Sequence, residues 1–203
     1  MLEILNMLLI GFTVGLSGAL VPGPMLFATI ETSLKKGWLA GPFVVLGHAV
    51  LEFAICVLII LGMSSLVGSS VISAISLIGG VFLIIFGLMT IKSASDTSEA
   101  FETSSGITSS PFKAGFITSV LNPYFWVWWV TVGSALVLTG LEIGILAAVF
   151  FVIGHWLADL CWYCAVSVSF SRGKTLMSHA TYKWILTACG VFLILFGGWF
   201  VLD

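Results

Sequence analysis

The sequence predicts an all-α polytopic membrane protein: six transmembrane helices forming two inverted three-helix repeats, with helices 1 and 4 broken in mid-span. Three observations carry that prediction. The 203-residue chain is 60% hydrophobic and only 8% charged, with a mean hydropathy of +1.21, far from the balance of a soluble domain. Six apolar stretches, at about 4–33, 38–62, 70–91, 113–138, 142–170 and 183–202, each reach the length needed to cross a bilayer. Two motifs of the first half recur, in order, in the second.

Stretch 1 begins without the positive region of a signal peptide and is expected to persist as a helix. Its apolar run is interrupted at Pro22-Gly23-Pro24. Neither proline has an N–H to donate, and the residues before them are pushed away from helical angles. Backbone groups left open in hydrocarbon are costly, so the break must face protein or a wet cavity. A new helix start near Met25 offers N–H groups at the positive end of its dipole, which favour an anion. Stretches 2 and 3 are uninterrupted. The Ser/Thr-rich segment 92–112, with Asp96, Glu99 and Glu102, reads as a polar linker between a first repeat (1–91) and a second, inverted one (113–203).

Stretch 4 contains Asn122-Pro123, the expected counterpart of the first break, with an amide able to donate and accept. Asn122 lies nine residues from Lys113, or ~13 Å of helix, near the middle of a core about 30 Å thick. The aromatic run Tyr124 to Trp129 follows. Tryptophan normally decorates interfaces or faces lipid, whereas a ring turned inward would shape a side-chain pocket or meet a cation. In stretches 5 and 6 the four cysteines' pattern continues: Cys161, Cys164 and Cys189, like Cys56, lie within apolar runs and read as packing residues.

The seven basic residues (Lys35, Lys36, Lys92, Lys113, Arg172, Lys174, Lys183) all fall beside loops on one side. By the positive-inside rule that side is cytoplasmic, which places both termini outside the cell membrane. The net charge of −2 gives no reason to expect nucleic acid as a partner.

The internal repeat rests on two collinear matches. Gly80-Val-Phe-Leu-Ile-Ile-Phe-Gly87 agrees with Gly190-Val-Phe-Leu-Ile-Leu-Phe-Gly197 at seven of eight positions, and Gly47-His48-x-x-x-Glu52 parallels Gly154-His155-x-x-x-Asp159. Three spans per half would insert the second copy upside down, as in secondary transporters whose substrate site sits near the midplane. His48 with Glu52, and His155 with Asp159, are i,i+4 pairs on one helix face each. Ionisable groups so deep in a span are functional candidates, here for proton coupling or for holding a substrate amine. The plainer alternative is that each pair hydrogen-bonds within its own helix. Glu31, four residues from Lys35, reads as half of an interfacial ion pair.

Gly15-Leu-x-x-Ala19-Leu-Val-Pro22-Gly23-Pro24-Met25, followed by Gly37, Gly41 and Gly47 and by Asn122-Pro123, resembles the lysine exporter family of amino-acid efflux proteins (LysE/RhtB type) across essentially the whole chain. The resemblance implies a transporter, not an enzyme, exporting amino acids with the proton gradient. It assigns Pro22, Gly23, Pro24, Asn122 and Pro123 to the central broken-helix region. Tyr124 stands where many members are expected to carry Lys, and the paired Gly-His motifs are not among the features that carry the resemblance.

Read together, these features lead to an expected secondary transporter that exports amino acids or related small zwitterionic metabolites by proton antiport, with alternating access around a midplane site. Its substrate-binding break comprises Pro22, Gly23, Pro24, Met25, Asn122 and Pro123, while His48, Glu52, His155 and Asp159 couple protons or hold the substrate amine. No Lys or Arg lies inside a span, so a substrate carboxylate would fall to backbone N–H groups, Asn122 or a histidine. The alternative is a divalent metal-cation exporter that uses the same two histidines and two carboxylates. A thiol-redox carrier built on Cys161-x-x-Cys164 is disfavoured, because these cysteines lie away from both breaks. The partners expected are an amino acid, protons and the lipid bilayer; no cofactor is expected, and a homodimer stays open.

Overall fold

The computed structural model describes residues 1–62, 69–95, 110–173 and 178–202, and is all-helical with no strand among them. Stretch 1 becomes two helices, α1 (Leu2–Ala19) and α2 (Pro24–Lys36). Helices α3 (Ala40–Ile60) and α4 (Ser69–Ser95) follow. Stretch 4 is divided into α5 (Pro111–Val120), α6 (Pro123–Trp128), a π-helical turn (Trp129–Gly133) and α7 (Ser134–Ile143). Helices α8 (Ile145–Gly173) and α9 (His179–Leu202) complete the chain. Four helices among the described residues are long and apolar enough to cross a membrane: Leu2–Ala19, Ala40–Ile60, Pro123–Ile143 and Ile145–Gly173. Helix covers both ends of the predicted linker, since α4 continues to Ser95 and α5 starts at Pro111. Most of that linker (96–109), the loop 63–68, Lys174 and Asp203 lie outside the described residues.

Proline placement explains where helices begin. Pro24, Pro111 and Pro123 all occupy the first turn of α2, α5 and α6, where a missing N–H costs nothing and the fixed φ favours the helix. Pro42 sits in the first turn of α3, and Pro22 lies in the break itself. The break in stretch 1 is therefore a true interruption rather than a kink. Two of the carbonyls that the prolines deprive are recaptured by tighter turns: Val21 N–H donates to Gly18 O at 3.1 Å, and Asn122 N–H to Ser119 O at 3.2 Å. Left-handed Gly37 (φ 84°) ends α2 and turns the chain into α3.

Helices cross where glycines let backbones touch, the usual device in lipid. A Cβ built on Gly11 of α1 would lie 2.1 Å from the Phe151 carbonyl oxygen of α8, and one on Gly154 would lie 2.1 Å from that of Leu8. The α3–α5 crossing repeats the arrangement: a Cβ on Gly47 would approach the Phe112 carbonyl oxygen to 2.0 Å, and one on Gly115 that of Val44 to 2.0 Å. Helices α4 and α9 pack along Gly80, Gly87, Gly190 and Gly197. Outer faces carry exposed apolar side chains such as Phe53, Leu146, Ile153 and Trp199, as lipid contact requires. At the end of α2, Lys35 and Glu31 form the ion pair read from their spacing.

Candidate functional site

Helices α3 and α8 pack against each other and bring the two Gly-His motifs face to face, and the two helix breaks adjoin them. A Cβ on Gly23 would lie 4.0 Å from Asn122 Nδ2, so the breaks meet each other. Between breaks and motifs lies a cavity of about 70 Å³, room for several waters at roughly 10–15 Å³ each. Its lining includes Pro22, Gly23, Met25, Asn122, His48, Glu52, His155 and Asp159. Pro24 and Pro123 are fully buried beside it as the first residues of α2 and α6. The cavity is lined by no Lys or Arg among the described residues.

The four ionisable side chains do not form two self-contained pairs, which corrects the plainer reading of the spacing. His48 Nε2 is 2.9 Å from Glu52 Oε1 on its own helix. His155 Nε2 reaches the same oxygen at 2.9 Å and stands 3.5 Å from Asp159 Oδ2, its i,i+4 neighbour. The His48 Nε2 to Asp159 Oδ2 distance is 3.6 Å. Glu52 Oε1 also accepts the Trp129 indole N–H at 3.1 Å. One carboxylate oxygen thus gathers three nitrogens from α3, α8 and the π turn. Glu52 Oε2 and Asp159 Oδ2, on residues 0% and 3% exposed, have no hydrogen-bond partner among the described residues.

The histidines differ in their other nitrogen. His48 Nδ1 lies 2.6 Å from Ser119 Oγ. That hydroxyl donates to the Gly115 carbonyl at 2.7 Å, so its lone pairs are left to accept the Nδ1–H. At the matching place on the other side stands Gly15, where a Cβ would lie 2.7 Å from His155 Nδ1, and that nitrogen has no hydrogen-bond partner among the described residues.

The aromatic run after the second break faces inward, against the expectation of lipid or interface. Phe125 sets its edge on the His48 ring (5.2 Å, 68°), and Trp128 lies over the His155 ring (4.8 Å, 30°). Trp129 is 1% exposed and meets His155 edge-on at 5.5 Å. The π turn at Trp129–Gly133 adds a residue at this point, a distortion common at functional sites. Trp126 closes the break by donating to the Val120 carbonyl at 2.7 Å. The spacing gave no signal for Ser119 or for Tyr163, which also lines the cavity; their places depend on how helices rotate against one another.

The two helix starts are unlike. Asn122 Oδ1 accepts the Tyr124 N–H at 3.1 Å and caps α6, while Phe125 N–H bonds Asn122 O. This uses the donors that an anion would need there. Gly23 offers α2 no side-chain cap, and in that first turn Phe27 N–H turns back to Gly23 O. The cavity therefore joins an uncapped helix start to a buried carboxylate, Asp159, with an unpartnered oxygen. Such a site can hold a small molecule carrying one negative and one positive end.

A family model described as LysE type translocator matches residues 16–203. Neither a curated protein nor a solved structure matches the chain.

Proposed function

We propose, on the premise that this chain belongs to the LysE type translocator family, that it exports amino acids or related small zwitterionic metabolites across the cytoplasmic membrane by proton antiport. Members of the family are translocators rather than enzymes, and the membrane-length helices agree with that. The observation that carries the choice of cargo is the uncapped start of α2 opening on the same cavity as Asp159. The substrate carboxylate takes the N–H groups of Met25 and Leu26, at the positive end of the α2 dipole. Its ammonium takes Asp159 Oδ2, a buried oxygen that makes no hydrogen bond among the described residues. Asn122 keeps the second break rigid, and the His48, Glu52, His155 and Asp159 cluster is where the counter-transported proton meets the cargo.

Six spans in two inverted repeats, 1–91 and 113–203 joined by the segment 92–112, are the frame proposed for alternating access. Support comes from the paired crossings: Gly11 and Gly154 join α1 to α8 as Gly115 and Gly47 join α5 to α3. By the positive-inside rule the basic loops support an orientation with both termini outside. Counterflow into proteoliposomes, run with a panel of labelled amino acids, tests the cargo. Exchange of at least one zwitterionic amino acid is expected; exchange of none would remove the reading.

A further inference from the structure

We infer that His48, Glu52, His155 and Asp159 form a binding site for one divalent transition-metal cation with two nitrogen and two oxygen ligands. The ion would share Asp159 with the proposed cargo's ammonium, so the two occupy the cavity in turn, but the inference does not rest on that cargo. One ligand atom from each residue lies within 4.8 Å of all the others. The four nitrogen–oxygen separations are 2.9, 2.9, 3.6 and 3.5 Å. A tetrahedral centre with bonds of about 2.0–2.1 Å spaces its ligands about 3.3 Å apart, close to these four separations, and an ion at the middle draws the two remaining pairs in from no more than 4.8 Å.

Charge, and at His48 the tautomer, agree with the spacing. Two buried carboxylates face a cavity lined by no Lys or Arg among the described residues, and a divalent ion supplies the two positive charges. Glu52 Oε2 and Asp159 Oδ2 are buried without partners, a state that carboxylates in a low-dielectric interior otherwise avoid. A metal-bound histidine usually gives its far N–H to an acceptor. Ser119 Oγ is that acceptor for His48 Nδ1, which turns the Nε2 lone pair toward the centre. Imidazole with carboxylate suits zinc, cobalt or manganese better than calcium or magnesium.

Cobalt(II) titration of the purified full chain in detergent micelles tests this, because four-coordinate cobalt has intense visible ligand-field bands. The chain carries Cys161→Ser and Cys164→Ser, so that these two thiols, exposed and half-exposed, add no sulfur ligands. Saturation at one equivalent and displacement by zinc are expected. His155→Ala should abolish the bands, and Ser119→Ala, which touches no ion, should weaken binding about 10- to 100-fold. Should His155→Ala fail to fold, Asp159→Asn replaces it, since the Oδ2 it alters makes no hydrogen bond. Absence of a saturable band, or a band unchanged in these variants, overturns the site. Binding is read without transport, so a chain that binds cobalt yet exchanges no amino acid keeps the site and loses the cargo. Exchange without cobalt binding does the reverse.

Discussion

His155 Nε2 stands 2.9 Å from Glu52 on α3, nearer than the 3.5 Å to Asp159 one turn along its own helix α8. The preference makes Glu52 a bridge between α3 and α8 and leaves Asp159 Oδ2 with only the longer contacts of 3.5 and 3.6 Å to the two histidines. The two carboxylates should therefore respond differently to neutralisation. Glu52→Gln puts an amide among three nitrogens and leaves buried donors unmatched, at a cost of about 1–3 kcal/mol. Asp159→Asn breaks no hydrogen bond at Oδ2 and should change stability by less than about 1 kcal/mol, while removing export. Thermal unfolding in detergent beside proteoliposome efflux checks both; equal destabilisation would contradict the assignment.

The Trp129 indole donates to Glu52 from a ring that is 1% exposed. Trp129→Phe keeps most of the ring and deletes the N–H, so a loss of about 1 kcal/mol is expected, together with slower export. Trp199→Phe, on a ring more than half exposed, serves as the comparison and should leave both readouts unchanged.

Asn122 acts first as a helix cap. Asn122→Ala should destabilise by about 0.5–2 kcal/mol, and Asn122→Ser should recover most of that. If Ser restores stability but not export, the Nδ2 group beside Gly23 touches the cargo; if Ser restores both, capping is its whole contribution.

Glycine crossings set the spacing of the site. Gly154→Val forces a Cβ to within 2.1 Å of the Leu8 carbonyl oxygen, a backbone atom that cannot yield, and should cost about 3 kcal/mol or more. Gly198→Ala meets nothing within 4 Å and should be neutral or mildly stabilising. Melting temperatures of the two variants decide the matter.

Much of the site was legible because lipid is an unforgiving solvent. Doubled prolines and buried His or carboxylate residues stand out in a chain with 8% charge, and each was named from the sequence. The closer geometry was not legible. That His155 chooses Glu52 over Asp159 depends on the rotation of α8 against α3, which a period-3.6 pattern within one helix does not encode. Trp128 and Trp129 were expected at lipid or interface because tryptophan suits an interface and a cavity equally, and the π turn that aims them has no sequence signature. Nor does sequence show that Gly15 and Ser119 oppose the two histidines, since their equivalence appears only once α1 and α5 are seen crossing α8 and α3.

The central claim, proton-driven export through this cavity, is tested most directly by efflux of a preloaded amino acid from proteoliposomes under an imposed pH gradient. Wild-type efflux should accelerate when protons can flow the opposite way and fall to the leak rate in Asp159→Asn. Efflux indifferent to the gradient, or undiminished in Asp159→Asn, would contradict it.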